Sequence, residues 1–376
     1  MKNSNKTAIV VGAGIVGLAC ARALAVKGFK VTVYEKNARA IGASIRNFGM
    51  VWPVGQPSGR PYECARRSRE IWKEICDAAG IWHDESGSLH LAYTETESKV
   101  MEEFVGIYGG DRKCAMLSPS EVLSKSEAVN PAGLKGALYS AEELIVDPRD
   151  AIAKVADYLQ EQLNVEFKWS TNIHTIKNSS VYFNVTQSQQ ADQIFVCSGS
   201  DFESLYPEVF QSLEITKCKL QMMRLVAQPE KWKIGPSLCG GLSMLHYKSF
   251  SAAPAITDLR QQLEAALPEY LKWGIHVMVS QNGNTELTIG DSHEYGPCHD
   301  PFDRQHINDL IVDYLKRFAV FKDWRMLESW NGVYAKMTNG QDHLLLEPDE
   351  NVTILNALGG AGMTLSFGLA EFYTEK

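Results

Sequence analysis

The sequence has few of the features that mark several common protein classes. None of its eight cysteines lies in a C-x-x-C pair, so zinc ribbons and dithiol redox centres are not indicated. It has 37 lysines and arginines against 45 acidic residues, and this balance does not favour nucleic acid or an anionic membrane as a partner. Its polar start lacks a signal-like apolar run, and no stretch reaches the length of a membrane span. We therefore expect a cytoplasmic protein with reduced thiols.

Several catalytic motifs are also missing. The sequence contains no G-x-S-x-G and no Walker motif, which argues against serine hydrolases and P-loop enzymes. His276, His293, His299 and His306 show no metal-ligand spacing with nearby acids. We therefore predict no metal site and interpret these four histidines as structural or surface residues.

The first forty residues carry the strongest positive signal. A buried strand is predicted at 7–11 and an apolar helix at 18–27, with a second strand at 30–34. The glycines between the first strand and the helix are Gly12, Gly14 and Gly17. In a dinucleotide-binding βαβ unit such glycines allow the tight turn, the approach of a pyrophosphate, and close helix–strand packing. The helix N-terminus would favour the phosphates.

Glu35 ends the second predicted strand, 18 residues after Gly17. A carboxylate at this distance can accept hydrogen bonds from an adenosine ribose. It would repel a 2′-phosphate, so NADP is disfavoured.

Two later segments show the same pattern of a buried strand followed by a turn of small residues. A buried strand at 193–197 leads into Ser198 and Gly199, and a strand at 352–356 leads into the glycine-rich turn 359–364. An apolar helix is predicted after that turn, at 365–372. Because the three turns are spread along the chain, we predict one nucleotide-binding domain assembled from discontinuous pieces.

Together these blocks resemble the FAD-dependent amine oxidases of the D-amino-acid oxidase and glycine oxidase superfamily, over essentially the whole chain. The match rests on the N-terminal glycines with Glu35, the V-D-P-R block at 146–149, the turn at 197–199 and the turn at 359–364. Within the superfamily, residues 44–57 resemble a clade associated with aminophosphonate breakdown. The resemblance implies an α/β fold, with a Rossmann-like FAD-binding domain and a second, mixed-sheet α+β substrate domain. The predicted boundaries are 1–85, 141–212 and 326–376 for the first, and 86–140 and 213–325 for the second.

The resemblance also implies which residues contact FAD. According to this resemblance, Glu35 binds the adenosine ribose, residues 44–49 run alongside the flavin, and the 359–364 turn faces the flavin pyrimidine. The FAD contacts predicted on this basis are Gly12, Gly14, Ile15, Val16, Gly17, Glu35, Lys36, Ser44, Asn47, Cys197, Ser198, Gly199, Gly359, Gly360, Gly362, Met363 and Thr364. Relatives of the sarcosine-oxidase type attach flavin through a late cysteine, but residues 330–335 contain none, so we predict non-covalent FAD.

The implied activity is oxidation of a small primary or secondary amine by hydride transfer to flavin N5. Hydrolysis of the imine would follow, with oxygen as the expected acceptor and hydrogen peroxide as a product. A dehydrogenase of the same fold with another acceptor, or a FAD-binding subunit of a hetero-oligomeric oxidase, remain alternatives. A monooxygenase or NAD(P)H-linked enzyme is disfavoured, because no second G-x-G-x-x-G follows a mid-chain strand.

Residues for the substrate are predicted from chemistry and position. Arg46 lies in the flavin segment and suits a carboxylate or phosphonate, although a FAD-phosphate contact or a surface ion pair would explain it equally. His246 and Tyr247 are candidates for the amine or its anionic head, with core packing as the alternative. Trp330 and Tyr334 would form an aromatic wall around a cationic amine, or simply pack. Arg224 is a second anion candidate.

Overall fold

The computed structural model describes residues 6–229 and 232–374. These residues form twenty-one strands and eleven α-helices. The strands are β1 (Thr7–Val11), β2 (Lys30–Tyr34), β3 (Met50–Val51), β4 (His83–Asp84), β5 (Ser88–Ala92), β6 (Cys114–Leu117), β7 (Gly136–Ser140), β8 (Leu144–Val146), β9 (Glu166–Lys168), β10 (Thr175–Lys177), β11 (Ser180–Tyr182), β12 (Ser188–Gln190), β13 (Gln193–Val196), β14 (Ile215–Leu225), β15 (Ser237–Cys239), β16 (Met278–Gln281), β17 (Leu287–Gly290), β18 (Glu294–Gly296), β19 (Met326–Met337), β20 (Leu344–Asp349) and β21 (Val352–Asn356). The helices are α1 (Ile15–Val26), α2 (Arg60–Ala79), α3 (Glu95–Tyr108), α4 (Pro119–Lys125), α5 (Pro148–Leu163), α6 (Pro207–Gln211), α7 (Leu242–His246), α8 (Ile256–Ala266), α9 (Pro268–Lys272), α10 (Gln305–Phe318) and α11 (Gly362–Tyr373).

A six-stranded sheet, in the order β20-β21-β13-β1-β2-β9, carries the three predicted strand-to-turn units. The four pairings from β21 to β9 are parallel, and only β20 pairs with its neighbour in the antiparallel direction. Parallel strands covered on both faces read as continuous apolar runs, which is why 7–11, 30–34 and 352–356 were recognisable. The predicted bounds of these three strands are confirmed.

The two faces of this first sheet are covered differently. Helices α1, α2, α5 and α11 pack together over one face, with Val10, Leu18 and Phe367 in their shared core. The small sheet β10-β11-β12 and helix α6 cover the other face, where Ile9 packs with Val181. Helix α1 begins at Ile15, three residues before the predicted start, because Gly14 already accepts the first helical hydrogen bond from Leu18.

The second sheet is mixed and has nine strands. Eight of them run in the order β18-β14-β17-β16-β15-β5-β7-β6, and β19 pairs with the free side of β14. Helices α3, α7, α8 and α10 contribute to the core on this sheet. The α/β fold with a Rossmann-like parallel sheet and a second mixed sheet is therefore as predicted.

One detail differs from the sequence-based expectations. The predicted first-domain segment beginning at 326 includes β19, which pairs along its length with β14, so residues 326–337 belong to the second sheet. Helices α8 and α9 are separate, since Pro268 cannot donate to a continuing helix and instead starts α9.

A third, small sheet, β3-β8-β4, links the two large ones. Strand β8 runs into Asp147, whose side chain accepts a hydrogen bond from the Arg149 backbone at the start of α5. Pro148 occupies the first helical position, where its missing N–H costs nothing. The V-D-P-R block therefore holds α5 against the Gly49 carbonyl, to which the Val146 N–H donates.

Within the described residues, we find no helix that combines the length and the apolar character needed to cross a membrane.

Candidate active site

A cavity of about 620 Å³ lies where the two large sheets meet. Its wall includes Gly12 and Glu35 from the first sheet and His246, His276 and Asp291 from the second. The volume lies within the range of small-molecule and cofactor sites. One continuous space therefore joins the predicted cofactor cradle to a pocket of titratable side chains.

The first end of the cavity depends on glycines that leave no room for a side chain. A Cβ on Gly12, which has φ of +102°, would lie 2.4 Å from the Cys197 carbonyl oxygen. On Gly17 it would lie 1.9 Å from the Gly12 carbonyl oxygen, and on Gly14 it would lie 3.0 Å from Ser44 Oγ. These contacts match the three roles predicted from the spacing: the turn, the open approach and the close packing.

Glu35 lies buried at the end of β2, on the cavity wall. One carboxylate oxygen accepts the Ala13 N–H at 3.0 Å, and the other accepts the Asn37 backbone N–H at 3.0 Å and side-chain amide at 2.8 Å. The side chain is thus held in place, and the oxygen that accepts only the Ala13 N–H has a second lone pair for a ribose hydroxyl. Lys36, beside it, pairs with Asp201 at 2.6 Å.

The late glycine turn closes the cavity from the opposite side. Residues 359–361 form a short 3₁₀ turn that leads into α11. The first residues of α11, Gly362, Met363 and Thr364, lie on the cavity wall. The Thr364 hydroxyl accepts the Trp52 N–H at 2.9 Å, which fixes α11 to the segment that follows β3. The N-termini of α1 and α11 therefore both border the cavity and favour negative charge there.

The structure places sixteen of the seventeen predicted FAD contacts on this wall. Gly17 is the exception, because it packs under the turn against Gly12 rather than facing the cavity. The Ile15 N–H is already occupied, since it donates to Ser44 Oγ at 2.9 Å. A dinucleotide with a pyrophosphate at α1 and a ribose at Glu35 fits these residues.

The second end of the cavity contains His246 and Tyr247, as predicted, at the end of α7. It also contains His276 and His293, so the surface alternative of their predicted role is wrong for these two histidines. His276 and His293 are both buried, while His306 is exposed and pairs with Glu269, as predicted for a surface residue. The spacing argument failed because three histidines come together from α7, from the segment before β16 and from the segment between β17 and β18.

The three imidazoles form a stacked group. The ring centroids of His246 and His276 are 3.8 Å apart, and those of His276 and His293 are 5.2 Å apart at 19°. Burial lowers the pKa of all three, that of His293 to about 4. They are therefore neutral at pH 7 in the free protein.

These histidines bring ligand atoms within 4.8 Å of one another, close enough to consider a metal ion. Stacked rings, however, present faces to one another, whereas ligation needs ring nitrogens that point at one centre. The Lys336 side chain also lowers the pKa of each of the three imidazoles, so its positive charge is felt there. The arrangement favours a polar binding pocket over a metal centre, and the absence of a metal site stays a prediction.

Other predicted substrate residues have separate locations. Arg46 lies on the cavity wall, where its guanidinium donates to the Asn331 carbonyl at 3.2 Å. Tyr334 also lies on the wall. Trp330 does not: its indole N–H donates to the Arg46 carbonyl, and the guanidinium carbons of Arg149 and Arg224 lie 4.6 Å and 5.8 Å from the centroid of its ring. The predicted aromatic wall is therefore wrong for Trp330.

Arg224 is also absent from the cavity wall. Its guanidinium is nearly buried and lies 3.3 Å from Glu286 and 3.7 Å from Asp147. Both acids compete with any external anion, so Arg224 serves as a link between the second sheet and α5.

Sequence reasoning missed Asp291 and Lys336, which also line the cavity. A weak signal was available for the first. Asp291 and His293 are two residues apart, as are His276 and Met278, and all four face the cavity. Alternation of this kind places residues on one face of an extended segment, but it does not tell which face borders a cavity.

Comparisons with known proteins agree with this geometry. The sequence matches the DAO family, described as FAD dependent oxidoreductase, over residues 7–376. The fold is similar to glycine oxidase from Geobacillus kaustophilus, with a TM-score of 0.75 at 18% identity over 98% of this chain and 93% of that one. It is also similar to L-proline dehydrogenase from P. horikoshii, with a TM-score of 0.74 at 18% identity over 99% and 93% of the two chains.

Among curated proteins, a D-amino acid dehydrogenase from Helicobacter pylori is 23% identical over 252 residues. That match spans 52% of this chain and only 60% of the relative's length. The family match, in contrast, covers nearly the whole chain, including all three glycine turns. The chain belongs to the DAO family of FAD-dependent oxidoreductases, and FAD is its cofactor.

Proposed function

We propose that this protein oxidises a small primary or secondary amine that carries an acidic head group, either an amino acid or an aminophosphonate. The observation that carries the proposal is the single cavity, which joins the FAD cradle to a pocket of neutral imidazoles and phenols. Glycine oxidase and L-proline dehydrogenase, which share the fold, support an amine or amino acid as the substrate. The resemblance of residues 44–57 to an aminophosphonate clade supports the narrower class.

When bound, FAD supplies the hydride acceptor for the carbon–hydrogen bond next to the amine. The protein's own contribution is a pocket that orients the amine and keeps bulk water away. Burial raises the pKa of Tyr247 and Tyr334, so both phenols stay protonated as hydrogen-bond donors. The imine that leaves would hydrolyse to a carbonyl compound and ammonia or an amine.

Arg46 is the proposed partner of the acidic head group. It lies on the cavity wall, and only one of its guanidinium nitrogens has a hydrogen-bond partner among the described residues. A guanidinium can hold a carboxylate or phosphonate with two parallel hydrogen bonds, which a lysine cannot reproduce. Arg46→Lys should therefore weaken apparent substrate affinity about tenfold or more with FAD retained. Unchanged affinity would remove Arg46 from this role.

The direct test of the proposed function is the visible spectrum of the purified holoenzyme during anaerobic addition of single amines. The panel contains glycine, sarcosine, D-alanine and 2-aminoethylphosphonate, with the hydroxylated and N-methylated relatives of the last. Bleaching of the flavin by one of these compounds is the expected result. Bleaching by the phosphonates alone would support the narrower substrate class, whereas a bound flavin that no amine reduces would contradict the proposal and favour a subunit that needs a partner.

Oxygen is the proposed final acceptor, which would give hydrogen peroxide. The partial similarity to a D-amino acid dehydrogenase favours a second candidate, a dehydrogenase with another acceptor. Peroxide formation in air, measured with and without phenazine methosulfate, separates the two. An oxidase produces peroxide at the rate of substrate loss without the dye, but a dehydrogenase turns over only when the dye is present.

A further inference from the structure

Asp291 is a buried carboxylate on the wall of the substrate end of the cavity. It follows β17, and its backbone is fixed by two hydrogen bonds to His276. The Asp291 N–H donates to the His276 carbonyl at 2.9 Å, and the His276 N–H donates to the Asp291 carbonyl at 3.2 Å. The side chain therefore starts from a rigid position between two strands.

The Asp291 carboxylate lacks the partners that a buried acid normally has. Among the described residues its ion-pair contacts are His276, at 3.1 Å, and His293, at 4.0 Å. The closer contact is not aligned for hydrogen bonding, and Oδ1 has no hydrogen-bond partner within residues 6–229 and 232–374. A buried polar atom left in this state costs free energy unless something else pairs with it.

The surrounding groups do not supply a fixed cation. The titratable side chains that face Asp291 are His276, His293, Tyr247, Tyr334, Tyr295 and Cys218. Burial lowers the pKa of both histidines and raises that of Asp291 itself. Within the described part of the chain, no lysine or arginine is in ion-pair contact with Asp291. Lys336 lines the same cavity, but its ammonium donates to the Tyr295 hydroxyl at 3.0 Å and is not in ion-pair contact with Asp291. The Asp291 carboxylate is therefore open to a cationic group that enters from outside.

We propose that Asp291 is a catalytic residue that binds the amino group of the substrate and removes its proton before oxidation. This inference rests on the proposed function. In the step, an N–H bond of the substrate ammonium breaks, its electron pair stays on nitrogen as the lone pair, and a new O–H bond forms on Asp291 Oδ1. Nothing is oxidised or reduced. The neutral amine that results is the form from which hydride can leave.

Pairing between the substrate amino group and Asp291 also explains why a buried acid without a protein partner lies beside neutral histidines. An ammonium with a carboxylate and an amine with a carboxylic acid contain the same number of protons. The complex therefore forms from either pair of ionisation states, and the total charge of the acid–amine pair stays zero. His276, which is 3.1 Å from Oδ1, is in position to orient the carboxyl group.

The test is anaerobic stopped-flow reduction of the holoenzyme by the amine that bleaches it fastest, measured against pH. For the wild type, the rate of reduction divided by the dissociation constant should rise and then fall with pH, since acid and amine must together carry one proton. For Asp291→Asn this ratio should be lower than that of the wild type by about a hundredfold or more near pH 7. It should then rise about tenfold per pH unit up to the pKa of the substrate amine, because only the neutral amine is productive. Asp291→Glu should recover part of the loss.

Asp309→Asn, on the exposed face of α10, is the matched control and should behave as the wild type. FAD content and thermal midpoint identify a variant that fails to fold. An unchanged rate and pH profile in Asp291→Asn would overturn the proposal. If that variant does not fold, a wild-type profile that rises monotonically to the amine pKa would overturn it instead.

A binding measurement separates amine recognition from turnover. tert-Butylamine has no hydrogen on the carbon attached to nitrogen, so it cannot be oxidised in this way. Its affinity, followed by perturbation of the flavin spectrum, should be at least tenfold higher for the wild type than for Asp291→Asn, and equal affinities would contradict the proposal. Failure of the proposed function is recognised separately, because in that case no amine would reduce the wild-type flavin.

Discussion

The two ends of the cavity are built on different principles. The cofactor end is made mostly of backbone: glycine turns, two helix N-termini and one anchored acid, Glu35. The substrate end is made of side chains, with His246, His276 and Asp291 supplied by separate elements. A site made of backbone requires a particular local sequence, whereas a site made of side chains requires only that distant segments meet. The following predictions test this contrast, beginning with the largest expected effect.

Gly17→Ala should abolish FAD binding. The added Cβ would lie 1.9 Å from the Gly12 carbonyl oxygen, so the first turn of α1 must shift. Overpacking typically costs about 1–3 kcal/mol, and the close backbone contact places this substitution at the upper end of that range. FAD content by absorbance and the thermal midpoint measure the effect. Gly106→Ala, in α3 with open space around the new Cβ, is the control and should stabilise slightly. Full FAD occupancy in Gly17→Ala would contradict the claim that close packing at Gly17 is required for FAD binding.

Glu143 connects the segment that follows β3 to β5, since it accepts hydrogen bonds from the Val54 N–H and from the Ser88 hydroxyl. Burial raises its pKa to about 7, from an ordinary value of 4.5. Below pH 4.5 both folded and unfolded chains hold the proton. Between pH 4.5 and 7 the unfolded chain loses it first, so the free energy of unfolding falls with rising pH.

The loss should approach about 3 kcal/mol above pH 7. Glu143→Gln removes this dependence, so the variant should gain stability relative to the wild type between pH 5 and pH 8. Urea unfolding at the two pH values measures the difference, with Glu264→Gln on the exposed face of α8 as control. Parallel pH profiles for Glu143→Gln and the wild type would show that Glu143 is ionised in the folded protein.

Glu35→Gln tests the anchored acid of the cofactor end. The amide keeps the size of the acid but loses the charge and one acceptor oxygen. Hydrogen bonds to charged groups are worth about 1.5–3 kcal/mol, so FAD affinity should fall about ten- to a hundredfold. Titration of the apoprotein with FAD gives the value, and substrate affinity of the fully loaded variant should stay the same. An unchanged FAD affinity would mean that backbone alone holds the cofactor.

Trp330→Phe should have the smallest effect. The ring would still lie near two guanidinium groups, and only a 3.3 Å hydrogen bond to the Arg46 carbonyl is lost. We expect a loss of about 1 kcal/mol in stability and substrate affinity within twofold of the wild type. Tyr334→Phe, which alters the cavity wall itself, is the comparison. A large change in substrate affinity for Trp330→Phe would show that Trp330 contributes to substrate binding.

The same contrast decides how much could be predicted from sequence. The glycine turns and Glu35 were recognisable because each contact lies within a few residues of a strand end. The pairing of β19 with β14 was missed, since no local pattern marks which distant strand a segment joins. His276 and Asp291 were missed for a related reason: their chemistry arises from burial in a shared pocket, and burial depends on the assembled fold.

The order of strands in the first sheet has a consequence for biosynthesis. Strand β1 leaves the ribosome first, yet one of its neighbours is β13, which in turn pairs with β21. The turn 359–361, which closes the cavity, follows β21. Domains usually fold in the order in which they are made, but here the N-terminal strands have to wait for segments synthesised much later. FAD therefore cannot be held by a nascent chain that has exposed only the first glycine turn, and loading of the cofactor becomes a late step that reports completion of the fold.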